Sequence, residues 1–82
     1  MTIQVAADGT IRLEGECSLE DAEQLQRVLV ANPGAAVDWR QCVFAHTAVI
    51  QILLLARPDL RGPPQGDFLR NHIDALVARR TD

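Results

Sequence analysis

The stretch Val37-Asp38-Trp39-Arg40-Gln41-Cys42-Val43-Phe44-Ala45-His46-Thr47-Ala48-Val49-Ile50-Gln51-Ile52-Leu53-Leu54 decides the fold. Its opening, taken with Ala35 and Ala36, is a short, nearly continuous apolar run from Ala35 to Trp39. Such a run suits a strand buried in a parallel sheet. Its last part, Thr47 to Arg57, reads as a helix whose only polar interior residue is Gln51. Val49, Ile50 and Ile52 are β-branched and keep a strand open as the rival reading. Thr47 at the start, Arg57 near the end and Pro58 just past it mark helix boundaries instead. Between the two, Cys42-Val43-Phe44-Ala45 is expected to connect strand to helix and to point inward. A helix apolar on nearly every side needs more cover than one small sheet gives. Either other helices flank it, or part of it is an interaction surface.

Upstream, Thr2-Ile3-Gln4-Val5 and Ile11-Arg12-Leu13-Glu14 alternate polar and apolar residues around Asp8-Gly9. That dipeptide accepts the positive φ of a tight hairpin turn. An antiparallel hairpin over 2–6 and 10–15 follows, with Ile3, Val5, Ile11 and Leu13 facing the core and Arg12, Glu14 and Glu16 facing water. Ser18 and Asp21 form a capping-box-like pair at the head of a helix over about 19–31. Leu19, Ala22, Leu25, Val28 and Leu29 make its apolar stripe, and Asn32-Pro33-Gly34 ends it. A helix between two strands makes 10–15 and 35–39 parallel neighbours. Downstream, Leu60-Arg61 reads as a short edge strand stopped by Pro63-Pro64. Asp67 is expected to cap a last helix with Phe68, Leu69, His72, Ile73, Leu76 and Val77 as its stripe, and Arg79-Arg80 to suit its C-terminal dipole.

With 82 residues the chain has room for one core, a single domain over 1–82. Its apolar fraction of 48% against 23% charged residues is that of a folded protein and excludes disorder. Eleven acidic residues outweigh eight basic ones, all of them arginine and scattered along the chain. That balance argues against nucleic acid as a partner. The N-terminus carries no secretory pattern, and no apolar run approaches the ~20 residues a membrane span needs. A cytoplasmic protein without direct membrane insertion is therefore expected. Cys17 and Cys42 then read as buried, reduced thiols. With His46 and His72 they lack the close C-x-x-C pair of a zinc site, so no metal and no cofactor is expected.

The order strand, strand, helix, strand, helix, short strand, helix and the segment 37–54 together resemble the STAS domain of anti-sigma-factor antagonists. Gly15 followed by Ser18-Leu19-Glu20-Asp21-Ala22 is similar to the strand-to-helix step of that family. The family carries an Asp-Ser/Thr-x-Gly-Leu motif at the start of an apolar helix. Its regulatory acidic residue falls on His46, its phosphoacceptor on Thr47 and its small residue on Ala48. The glycine and leucine fall on Val49 and Ile50. The resemblance covers roughly residues 2–78 and is most specific over 37–55.

The resemblance implies an α/β fold. It would be a small mixed sheet, an N-terminal hairpin plus parallel strands, with about three helices packed mainly on one face. It also implies a non-catalytic bacterial regulator that binds partner proteins. The partner type could be an anti-sigma-type kinase, another signalling or chemotaxis protein, or the ATPase subunit of a lipid-transport complex. A lysine-free, alanine-rich composition also looks bacterial. The implied contact residues are Asp38, His46, Thr47, Ala48, Val49, Ile50 and Gln51. Thr47 is the phosphoacceptor candidate: its hydroxyl sits at a helix N-terminus, where a phosphate meets free N–H groups. Three plainer readings stay open. Thr47 can serve simply as an N-cap, His46 as a loop histidine or hydrogen-bonding group, and Asp38 as a sheet-end residue bonding nearby backbone amides. The apolar helix can also bury itself in a homodimer. An enzyme is not expected, because no phosphate loop, nucleophile elbow or metal motif accompanies Thr47, His46 and Asp38.

Overall fold

The computed structural model describes residues 2–74. The chain runs β1 (Ile3–Val5), β2 (Ile11–Cys17), α1 (Leu19–Ala31), β3 (Val37–Ala45), α2 (Thr47–Ala56) and β4 (Leu60–Arg61). A last helix, α3, begins at Asp67, and its Leu69–Ile73 portion has the wider π-helical bonding. The four strands lie side by side in chain order. β1 is antiparallel to β2; β2, β3 and β4 are parallel. This is the mixed α/β sheet with three helices that the sequence leads one to expect.

Local chemistry explains the element ends. Gly9 takes φ +90 in the hairpin turn, and the Thr10 amide donates to the Asp8 carboxylate at 3.0 Å. The Ser18–Asp21 capping box closes in both directions: the Ser18 amide donates to Asp21 Oδ2 at 2.7 Å and the Asp21 amide to Ser18 Oγ at 3.3 Å. Ending α1, the Asn32 amide and side chain both donate to the Val28 carbonyl.

Ile11, Leu13 and Cys17 of β2 and Val37, Trp39, Cys42 and Ala45 of β3 face one side, where Ala22, Leu25, Val49 and Leu53 of the helices meet them. The opposite side of the sheet carries charge. Register places Gln4, Arg12, Asp38 and Arg61 in one row across the four strands. Arg12 pairs with Glu14 at 3.1 Å.

The structure corrects the sequence reading at six places. Cys42 to Ala45 is not a connector but the second half of β3. Two register shifts against β2 set an extra residue into β3 each time, so buried positions recur at Trp39, Cys42 and Ala45 and not at every second residue. A bulge re-aims the side chains beyond it, and Val43 and Phe44 consequently face out. Val5 is half exposed, because an edge strand has a neighbour on one side only. Leu19, in the first turn of α1, is also largely exposed. The N-cap of α2 is His46, not Thr47. Asp67 lies inside the first turn of α3, where its carboxylate takes the Arg70 guanidinium at 2.6 Å. Phe68 and His72 of α3 are exposed, while Leu69 is buried and Ile73 partly so. Leu76, Val77, Arg79 and Arg80 lie outside the described residues.

Beyond β4 the chain passes the cis Gly62–Pro63 bond and binds the free edge of β3: the Gln65 and Gly66 amides both donate to the Cys42 carbonyl, at 2.9 and 3.3 Å. Trp39 is fully buried against this loop, and its Nε1 has no partner among the described residues.

Candidate functional site

Parallel strands followed by helices gather helix N-termini at one edge of a sheet, outside the carboxyl ends of the strands. In open α/β sheets that edge is where ligands bind. Here it is formed by Cys17-Ser18 at the head of α1 and Ala45-His46-Thr47 at the head of α2. The His46 amide donates to the Cys17 carbonyl at 2.9 Å and ties the two starts together.

His46 organises the start of α2. Its Nδ1 accepts the Ala48 amide at 3.0 Å. Its carbonyl accepts the amides of Val49 at 2.9 Å and Ile50 at 3.3 Å. Two of the amides that a helix N-terminus leaves unsatisfied, those of Ala48 and Val49, are therefore satisfied by one residue, whose carbonyl also takes the first regular helical bond from Ile50. The imidazole does so through an unprotonated Nδ1, since a protonated ring nitrogen has no lone pair to offer. Cap positions favour Ser, Thr, Asp and Asn, which is why the sequence pattern points at Thr47 and passes over its neighbour.

Thr47 is left free of capping duty and exposed. Gln51, one turn on, is exposed too; Ala48 and Ile50 are half-buried. Val49 is fully buried and packs in the core, so it offers a partner no surface. Phe44 is 54% exposed at the end of β3, immediately before this site. An exposed aromatic there is a natural anchor for a partner. It is hidden in the sequence because only the bulge turns it outward.

Asp38 does not join this group. It sits at the start of β3, seven residues from Ala45, about 23 Å away at the usual strand rise. There its carboxylate accepts from Arg40 Nε at 3.0 Å, Arg40 Nη2 at 2.8 Å and the Arg40 amide at 3.0 Å. The side-chain bonds from Arg40 hold its pKa down to about 2, against the opposing effect of burial. Asp38 is a sheet-end residue fastened to its own strand, and it forms no relay with His46 and Thr47.

Cys17 and Cys42 are free, fully buried thiols on adjacent strands. The hydrogen bond to Cys42, aided by burial, pushes the Cys17 thiol well above its usual range. Among the described residues no three His, Cys, Asp or Glu side chains gather in a metal-binding arrangement. No helix among them is long and apolar enough to cross a membrane.

No protein-family model matches the chain, and neither a curated protein nor a solved structure is significantly similar to it.

Proposed function

We propose that this chain is a non-catalytic regulatory module that docks on a partner protein through the head of α2, in the manner of the anti-sigma-factor antagonists it resembles. The docking surface comprises Phe44, His46, Thr47, Ala48, Ile50 and Gln51. The observation that carries this reading is the exposure of Thr47 at the first position of a helix with no charged residue. The surface of α2 that a partner meets there carries no charge. A phosphate on Thr47 would place about −1.5 to −2 charges in its midst, and an unpaired charge in a docked interface is costly. Phosphorylation of Thr47 thus acts as a release signal. The same phosphate is tolerated by the free domain, because negative charge suits a helix N-terminus.

A second reading, docking without a phosphoswitch, draws on His46. It already satisfies the Ala48 amide, so the helix start needs no anion to complete it. The partner is then a signalling protein or a transporter ATPase subunit that reads the same surface constitutively. Both readings place the protein in the cytoplasm. Mass spectrometry of the chain from its native host, free and partner-bound, separates them: only the switch reading predicts phosphate on Thr47 of the free chain and none on the bound chain.

A further inference from the structure

We infer that the head of α2 is a pH-sensitive switch: a proton on the His46 ring breaks the cap that the neutral ring makes. This goes beyond the docking function above and does not depend on it, since it is a property of the free chain. The bond at stake runs from the Ala48 amide to His46 Nδ1, at 3.0 Å. That nitrogen can accept only while it carries no proton. Once protonated, it sets an N–H against the Ala48 N–H, and two donors face each other. The proton also brings positive charge to the N-terminal end of a helix, where the dipole opposes it. The usual cap residues, Ser, Thr, Asn and Asp, hold their bond throughout the range between about pH 5 and 8. Histidine is the side chain whose ordinary titration, at about pH 6.5, falls inside that range.

The proton has a way in, because His46 is exposed. Among the described residues the ring's one hydrogen bond is that from Ala48. The titratable groups of the elements at this edge are Glu16 and Cys17 at the end of β2, Cys42 of β3, and Glu20 and Asp21 in the first turn of α1. Asp21 is bonded to the Ser18 amide and hydroxyl. The two thiols are buried and bond each other. Glu16 and Glu20 are exposed, and α2 itself contributes no charged residue. Among the described residues no ion pair joins any carboxylate to the ring, so the charged ring finds nothing here to replace the bond it loses. The response stays at the head of the helix. The His46 carbonyl still accepts from Val49 and Ile50, and its amide still donates to Cys17, because backbone bonds do not depend on the ring. Val49 and Leu53 anchor the rest of α2 in the core. Acid thus frees the Ala48 amide and adds one positive charge beside Thr47 while the domain stays folded.

Amide hydrogen exchange of the intact chain by NMR, at about pH 8 and about pH 5 and corrected for the intrinsic effect of pH, tests this. Asp8, Asp21 and Asp38, whose carboxyls all titrate below their ordinary value of 3.8, stay ionised at both. Protection of the Ala48 amide is expected to fall roughly two- to thirtyfold on acidification, the span of a lost cap, while the amides of α1 keep theirs. His46→Asn and His46→Asp, caps with no proton to gain in this range, are expected to keep the wild-type far-UV circular dichroism and to lose the response. His72→Asn, which removes the other histidine, should respond as the wild type does. Equal Ala48 protection at both pH values in the wild type overturns the inference. So does a response that survives in His46→Asn and His46→Asp, which would place the titrating group elsewhere.

Discussion

The His46 amide donates to the Cys17 carbonyl across 2.9 Å, and that bond joins the end of β2 to the start of α2. Through it, the caps of both helices sit at one edge of the sheet. His46 is thereby fixed as it accepts the Ala48 amide through Nδ1. His46→Ala should destabilise the domain by about 0.5–2 kcal/mol in urea unfolding, the usual cost of a lost cap. His46→Asp, a favoured cap residue whose negative charge suits a helix N-terminus, should hold or raise stability. Equal stability of His46→Ala and wild type would mean the imidazole is not the cap.

Leu53 is 1% exposed and faces the sheet from α2. Leu53→Ala should cost about 2–5 kcal/mol, from lost transfer energy and the cavity left behind. A change within about 0.5 kcal/mol would contradict the placement of this helix.

Asp38 gives a pH signature. Its folded pKa, about 2, lies below its ordinary value of 3.8 because Arg40 bonds the ionised form. A depressed carboxyl favours the folded state while ionised. Its contribution is therefore complete above about pH 4 and fades as pH falls toward 2. An NMR titration of the Asp38 carboxyl should show a midpoint near 2, rising toward 3.8 in Arg40→Gln. An unchanged midpoint in the variant would show that Arg40 is not the cause.

Gly66 lies against the backbone of β3. A Cβ there would run into the Val43 carbonyl oxygen, which is backbone and has little room to move. Gly66→Ala should destabilise by about 1–3 kcal/mol, as overpacking does, and loosen the loop from the Cys42 carbonyl. Hydrogen exchange at the Gln65 and Gly66 amides reads this directly; protection equal to wild type would argue against it.

Much of the fold was legible because its punctuation is local. Asp8-Gly9 makes the hairpin, Ser18 with Asp21 starts α1, Asn32-Pro33-Gly34 ends it, and Pro58 follows α2. These signals act within three or four residues. The length of β3 was not legible, because two bulges move its buried residues to Trp39, Cys42 and Ala45. That pattern matches no simple strand period and hides the outward turn of Phe44. The same misreading obscured Asp38: only a nine-residue β3 carries it to the far end of the sheet from Thr47. At the site itself, Thr47 was identifiable as a helix-start residue. The division of labour, in which His46 caps and Thr47 stays exposed, depends on a ring orientation that spacing does not encode.

We propose that the head of α2 docks a partner and that charge at Thr47 releases it. The most direct measurement is a pull-down from the native host with wild type, Thr47→Ala and Thr47→Glu, each shown to be folded. Glutamate at the first helical position is favourable for the helix, so loss of binding would not reflect loss of structure. Wild type and Thr47→Ala should recover the same partner, and Thr47→Glu should lose it. Equal recovery by all three would rule out release by charge at Thr47 and leave constitutive docking; recovery of no partner by any of them would remove docking as well.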